Sequence, residues 1–158
     1  MVTMRFLVFP ILVVAVMVAF AALDGAFGWR GPRIPWLGWP IVAAGGALAA
    51  WCTVLFARLG RGTPNPFTAK TRNLVVDGPY RVVRNPMMWG IGAMIAGVAL
   101  ALGNAGLWLG FAAFLVWIGC FIPGYEERDM ERRFGDPYRE YCRAVPRFWP
   151  RLGRNRGL

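Results

Sequence analysis

Histidine is absent from this sequence, and lysine occurs once, at Lys70. Imidazole is the one side chain whose ordinary pKa lies near neutrality, so histidine-based proton transfer, nucleophile activation and metal ligation are all excluded. Cysteine is scarce as well: Cys52, Cys120 and Cys142 are odd in number and form no C-x-x-C pair. Neither a disulfide framework nor a zinc site is indicated, and no metal is expected. Charge is sparse, at 16% of the 158 residues, while 57% are hydrophobic. A soluble domain carries about 25% charged and roughly 45–50% apolar residues, which excludes an ordinary water-soluble globule.

What the chain has instead is long apolar blocks. Four can be read, at about Phe6–Phe27, Trp36–Ala57, Met87–Leu102 and Ala105–Pro123. A helix rises 1.5 Å per residue, so about 20 residues cross a hydrocarbon core of roughly 30 Å. Blocks one and two are long enough to span. Blocks three and four are shorter and joined only by Gly103-Asn104, which reads as a tight helical hairpin that spans with little tilt, or as a re-entrant pair. Arg5, the apolar run after it and Ala21-Ala22 also resemble a cleavable secretory signal. The three later blocks, and apolar sequence beyond the small residues, favour a retained helix. The fold expected is all-α, a polytopic membrane bundle of about four transmembrane helices in a single domain over residues 1–158.

The formal charge of +10 would suggest nucleic acid on a soluble chain. Here the basic residues flank apolar blocks, so anionic headgroups and topology account for them and no nucleic-acid partner is expected. Arg5 precedes the first block, six basic residues lie in the loop 58–86 and nine in the tail 124–158, whereas the opposite side has only Arg30 and Arg33. The bias places both termini and the middle loop in the cytoplasm. Arginine's dominance over lysine suits a high-GC bacterium, and the location expected is a bacterial inner membrane.

The middle loop is dense in turn signals, from Gly60, Gly62, Pro64 and Pro66 to Gly78-Pro79 and Pro86. At its end, Asn85 is placed to cap a helix with Pro86 in the first turn. The tail predicts a charged helix over Tyr125–Phe134, a break at Gly135-Asp136-Pro137 and a second helix to Ala144, with Phe134, Tyr138 and Tyr141 on one face. Glu126-Glu127 is the most unusual local feature. Two adjacent carboxylates where an apolar block ends need a positive partner or a proton. A solvated helix start is the plain reading, and a cationic ligand the sharper one. Gly90-Ile91-Gly92, Gly45-Gly46 and Gly106-x-x-x-Gly110 suit close helix packing. Asp24 reads as a solvated interfacial acid. Trp29, Trp36, Trp39, Trp108, Phe148 and Trp149 read as interfacial anchors, and Pro146-Arg147-Phe148-Trp149-Pro150-Arg151 as a membrane-surface segment.

Two separated strings stand out together: Gly-Pro-Tyr-Arg-x-x-Arg-Asn-Pro at 78–86, and Glu-Glu-x(6)-Phe-Gly-x-x-Tyr-x-x-Tyr-x-x-x-Val-Pro-Arg at 126–147. With Gly62-Thr63-Pro64-x-Pro66 and Asn73-Leu74-Val75, they resemble the signature of the isoprenylcysteine carboxyl methyltransferase and phospholipid methyltransferase group of integral membrane enzymes, over roughly residues 60–150. The resemblance implies S-adenosylmethionine as cofactor and S-adenosylhomocysteine as product. It implies cofactor contacts from Asn73, Leu74, Tyr80, Asn85, Pro86, Met87, Met88 and Glu126, with Tyr138 and Tyr141 closing the pocket. Arg84 and Glu127 are the candidate catalytic residues. Where that group commonly has Arg-His-Pro-x-Tyr, this chain has Arg84-Asn85-Pro86-Met87-Met88. The isoprenylcysteine branch carries a substrate-binding arginine shortly before its acidic pair, where Ile122-Pro123 stand here.

The activity implied is methyl transfer to a lipid or lipophilic small molecule at the cytosolic interface, with membrane lipids as partners. The resemblance leaves the acceptor open among a phospholipid ethanolamine headgroup, a prenylated thiol or prenylcysteine-type carboxylate, and a small hydrophobic metabolite. Two other readings fit the same helical architecture: a membrane reductase using NADPH, since the pattern also resembles membrane sterol reductases, and a non-catalytic lipid-binding protein.

Overall fold

The computed structural model describes residues 18–22, 28, 30–60 and 73–150, which are helical apart from short connections. Most of the expected first span, with Asp24 and Trp29, lies outside the described residues. So do residues 61–72 of the middle loop and the tail beyond Pro150.

Helix α1, Pro35–Arg58, opens on a proline in its first turn and contains Pro40. Its 24 residues make it the one helix among those described that is long and apolar enough to cross a bilayer by itself. Helix α2, Pro86–Leu102, and helix α3, Ala105–Phe121, have 17 residues each, a rise of about 25 Å. Among the described residues only α1 reaches the full length of a span, so the four-span bundle expected from the sequence is not established. Gly103 closes α2 in the left-handed region (φ 68°), its N–H bonded to the carbonyl of Ala99. Asn104 then accepts from Leu107 N–H at 2.7 Å and starts α3. The hairpin read from Gly103-Asn104 is present, and its tightness follows from these two residues.

Helices α1 and α2 pack antiparallel and unusually close. A Cβ placed on Gly45 would stand 2.6 Å from the carbonyl oxygen of Gly90, and one on Gly38 would stand 2.6 Å from that of Gly97. The two contacts lie seven residues apart on each helix, which is two turns. Only glycine allows backbones to meet in this way. Gly90 thus serves helix packing, as expected, while Gly92 turns toward α3 and would touch Phe114 and Phe111. Gly106 meets the backbone of Phe20, and Asn104 Nδ2 donates to Ala21 O at 3.2 Å, so residues 18–22 join the bundle at the hairpin.

Beyond α3 the chain widens into a π turn, Ile122–Glu126, before helix α4, Glu127–Phe134. Pro123 lacks an N–H and its ring opposes the carbonyl four residues earlier. A widened turn relieves that conflict without ending the helix. Gly135, at φ 58° and ψ −130°, separates α4 from helix α5, Asp136–Ala144. This matches the expected break, and Phe134, Tyr138, Tyr141 and Val145 gather into one apolar cluster. The C-terminal end of α1, the N-terminal end of α2, and α4 and α5 all lie at one end of the bundle. Arg30 and Arg33 lie at the other, beside Gly103 and Asn104.

Candidate active site

The segment between α1 and α2 is tied down at both ends. Asn73 donates through Nδ2 to Leu59 O at 3.1 Å and through its backbone to Gly60 O at 3.3 Å. Val75 and Tyr80 are buried against Cys52 of α1. Gly78, at φ 59°, opens a single 3-10 turn, Gly78–Arg81, that turns Tyr80 inward. Its ring meets Phe56 edge-on at 5.3 Å. From the tail, Tyr141 donates its hydroxyl to Tyr80 O at 2.8 Å. The segments 73–88 and 126–147, far apart in sequence, are thereby joined.

Between them lies a narrow cavity of about 60 Å³. Ten of the twelve residues expected at the site line it: Leu74, Tyr80, Arg84, Asn85, Met87, Met88, Glu126, Glu127, Tyr138 and Tyr141. Asn73 and Pro86 do not. Asn73 anchors the loop from outside, and Pro86 is fully buried at the start of α2. Phe56, Val75 and Met130 also line the cavity and were missed. Each reads as apolar packing, and nothing in their types signals a ligand.

The two carboxylates differ sharply. Glu127 accepts from Arg147 Nε at 2.8 Å and Nη2 at 2.5 Å, and from Arg84 Nη1 at 2.9 Å. Both oxygens are occupied by guanidinium donors, in the bidentate geometry that arginine favours. Glu126 has no ion-pair partner among the described residues. Burial, then the neighbouring Glu127 and Asp129, push its carboxyl up to about 7. Burial likewise raises the Tyr80, Tyr138 and Tyr141 phenols well above their usual range, so all three stay neutral. The bond to Glu127 raises Arg147 further.

Arg84 is 13% exposed. It also donates from Nη1 to Cys142 Sγ at 2.7 Å, and its backbone N–H bonds Pro146 O at 2.9 Å. Its Nε is buried with no hydrogen-bond partner among the described residues, although a buried donor normally finds one. Asn85 stands at the N-cap of α2 without making the expected side-chain cap. Its amide donates to Arg147 O at 3.4 Å instead. With Trp89 Nε1 bonded to Phe148 O at 2.9 Å, residues 145–149 form a strap along the start of α2. The surface segment read from Pro146-Arg147-Phe148-Trp149 is thus partly inward, because Glu127 captures Arg147. The signal was present in the acid pair's need for a cation, which the sequence could not assign to one arginine.

A second, almost wholly apolar groove of about 410 Å³ lies between α2 and α3, walled by Trp89, Phe111, Phe114, Ile118, Phe148 and Trp149 among others. Trp149 meets Trp89 edge-on at 5.1 Å and is 74% exposed, as suits an interfacial anchor.

The chain is 43% identical over 49 residues to an uncharacterized protein of Haemophilus influenzae, a match covering 31% of this chain and 78% of that protein. No solved structure matches. The phospholipid methyltransferase family profile matches residues 34–137, from α1 through the acid pair to the start of α5. A methyltransferase family with membrane-associated members accounts for the apolar helices, and the chain belongs to it: the phospholipid methyltransferases.

Proposed function

We propose that this protein transfers a methyl group from S-adenosylmethionine to a lipophilic acceptor at the cytosolic membrane interface. The observation that carries this reading is the pairing, in the lining of one cavity, of Glu126, which has no ion-pair partner among the described residues, with Arg84, whose Nε is buried without a hydrogen-bond partner among them. A sulfonium amino acid presents cations and a carboxylate together, and this pair fits both. Glu126 holds the cationic part, Arg84 Nε the carboxylate, and Tyr80, Tyr138 and Tyr141 shield them from water. Glu127 has no free oxygen, so it acts as the anchor of Arg84 and Arg147. When bound, the sulfonium supplies an electrophilic methyl for in-line displacement, and placement in a water-poor pocket supplies much of the catalysis.

At about 60 Å³ the cavity is smaller than such a ligand. Met87, Met88 and Met130 line it, and methionine's three rotatable bonds let it yield. The apolar groove between α2 and α3 supplies the lateral route for the acceptor's hydrocarbon. In this reading the chain is a four-span protein with both termini in the cytoplasm. Family membership favours methyl transfer over nicotinamide-dependent reduction.

The test is to incubate protein in lipid particles with methyl-labelled S-adenosylmethionine and a total lipid extract. Label is expected in the organic phase and is expected to fall sharply in Glu126→Gln. Alkali then separates a methyl ester, which releases labelled methanol, from an N-methylated headgroup, which does not. Tight donor binding with no labelled lipid from any extract would refute the reading.

A further inference from the structure

The cytosolic cavity and the apolar groove share one lining residue, Met88. It stands in the first turn of α2. One turn further along the same face is Gly92, where an added Cβ would meet Phe114 at 3.4 Å and Phe111 at 3.5 Å. Gly92 lines the groove one turn from Met88, with Phe111 and Phe114 as its near walls, so a hydrocarbon in the groove lies close to the methionine. On one side is about 410 Å³ of apolar space; on the other, about 60 Å³ flanked by Arg84, Glu126 and Glu127. Met88 thus lines both an apolar groove and a cavity that holds charged groups.

We infer that Met88 is the partition between donor cavity and acceptor groove, and that it determines which acceptors reach the methyl donor. This rests on the two-compartment reading above and adds a specificity-determining residue to it. The acceptor's tail lies in the groove over Gly92, and its reactive head passes only where the thioether swings aside. Compact heads pass and bulky ones do not. A methionine suits this place because it changes rotamer readily while still excluding water when closed.

The test measures steady-state transfer of labelled methyl into lipid, varying acceptor and donor separately. Met88→Phe is expected to raise the acceptor KM about tenfold or more and the donor KM, whose cavity Met88 also lines, by a clearly smaller factor. Met88→Ala is expected to admit larger heads, seen as additional labelled species from the same extract. Gly119→Leu fills the groove from α3, where an added Cβ meets nothing within 4 Å. It should reproduce the acceptor effect even if Met88→Phe does not fold. A donor KM that rises in step with the acceptor KM, or an unchanged product set in Met88→Ala, overturns the assignment. Wild-type protein that binds donor but labels no lipid overturns instead the acceptor reading on which it rests.

Discussion

Titrating donor affinity against pH isolates the contribution of Glu126. Its carboxyl is pushed up to about 7, so in the empty cavity it is about 1% ionised at pH 5 and about half ionised at pH 7. If only the carboxylate holds the donor's cation, affinity should rise close to tenfold per pH unit below 7. From pH 5 to pH 7 the gain is about fiftyfold, or about 2.3 kcal/mol. Binding at pH 7 should release about half a proton, which calorimetry in buffers of different ionisation enthalpy reads directly. Above pH 8 two outcomes separate. A plateau means Glu126 faces the sulfonium, whose charge is permanent. A renewed decline means it faces the α-amino group, which loses its proton near 7.7–8.0. Glu126→Gln should weaken binding at pH 7.5 by about 1–3 kcal/mol and flatten the profile. A flat wild-type profile with intact binding, or an unchanged slope in Glu126→Gln, would show that the carboxyl does not meet the cation.

Further consequences concern stability. A carboxyl raised in the folded state contributes stability that is complete below its ordinary pKa and is lost as pH rises through about 7. Ligand-free protein should therefore melt lower at pH 8 than at pH 5, and Glu126→Gln should remove up to about 3 kcal/mol of that difference in a thermal-shift series. Arg147→Ala breaks a pair whose guanidinium is 39% exposed. After allowance for solvent screening it should cost about 1–2 kcal/mol, and cleavage by trypsin after Arg143 should accelerate as the strap loosens. Gly45→Val places a Cβ against the Gly90 carbonyl at 2.6 Å. It should cost more than about 3 kcal/mol, visible as loss of monodisperse protein after detergent extraction, whereas Gly119→Ala, facing open space, should extract normally.

Local patterns carried much of this structure in the sequence. The two tail helices and their break at Gly135 were legible because charge periodicity and a Gly-Asp-Pro triplet act within a few residues. The α2–α3 hairpin was legible because Gly103 and Asn104 satisfy backbone groups next to them. The site was legible as two strings, one on each side of the hairpin. Arg147 was misread because its partner is 20 residues away and several arginines compete for it. The N-cap expectation for Asn85 rests on the free N–H groups of the helix start as the nearest donors for its side-chain oxygen, whereas its amide donates to Arg147 O of the strap.

The amino-acid sequence by itself determined that the chain is helical and apolar, that its chemistry proceeds without imidazole, and that an acid pair ends the last apolar block. Those properties follow from composition and from interactions spanning a turn or two. Only the tertiary structure decided which carboxylate is free. Glu126 and Glu127 are neighbours of one chemical type, and nothing local distinguishes them. Two arginines from distant segments close on Glu127, while Glu126 has no ion-pair partner among the described residues. The same packing put Met88 in the lining of two cavities, a property of surfaces in contact that has no counterpart along the chain.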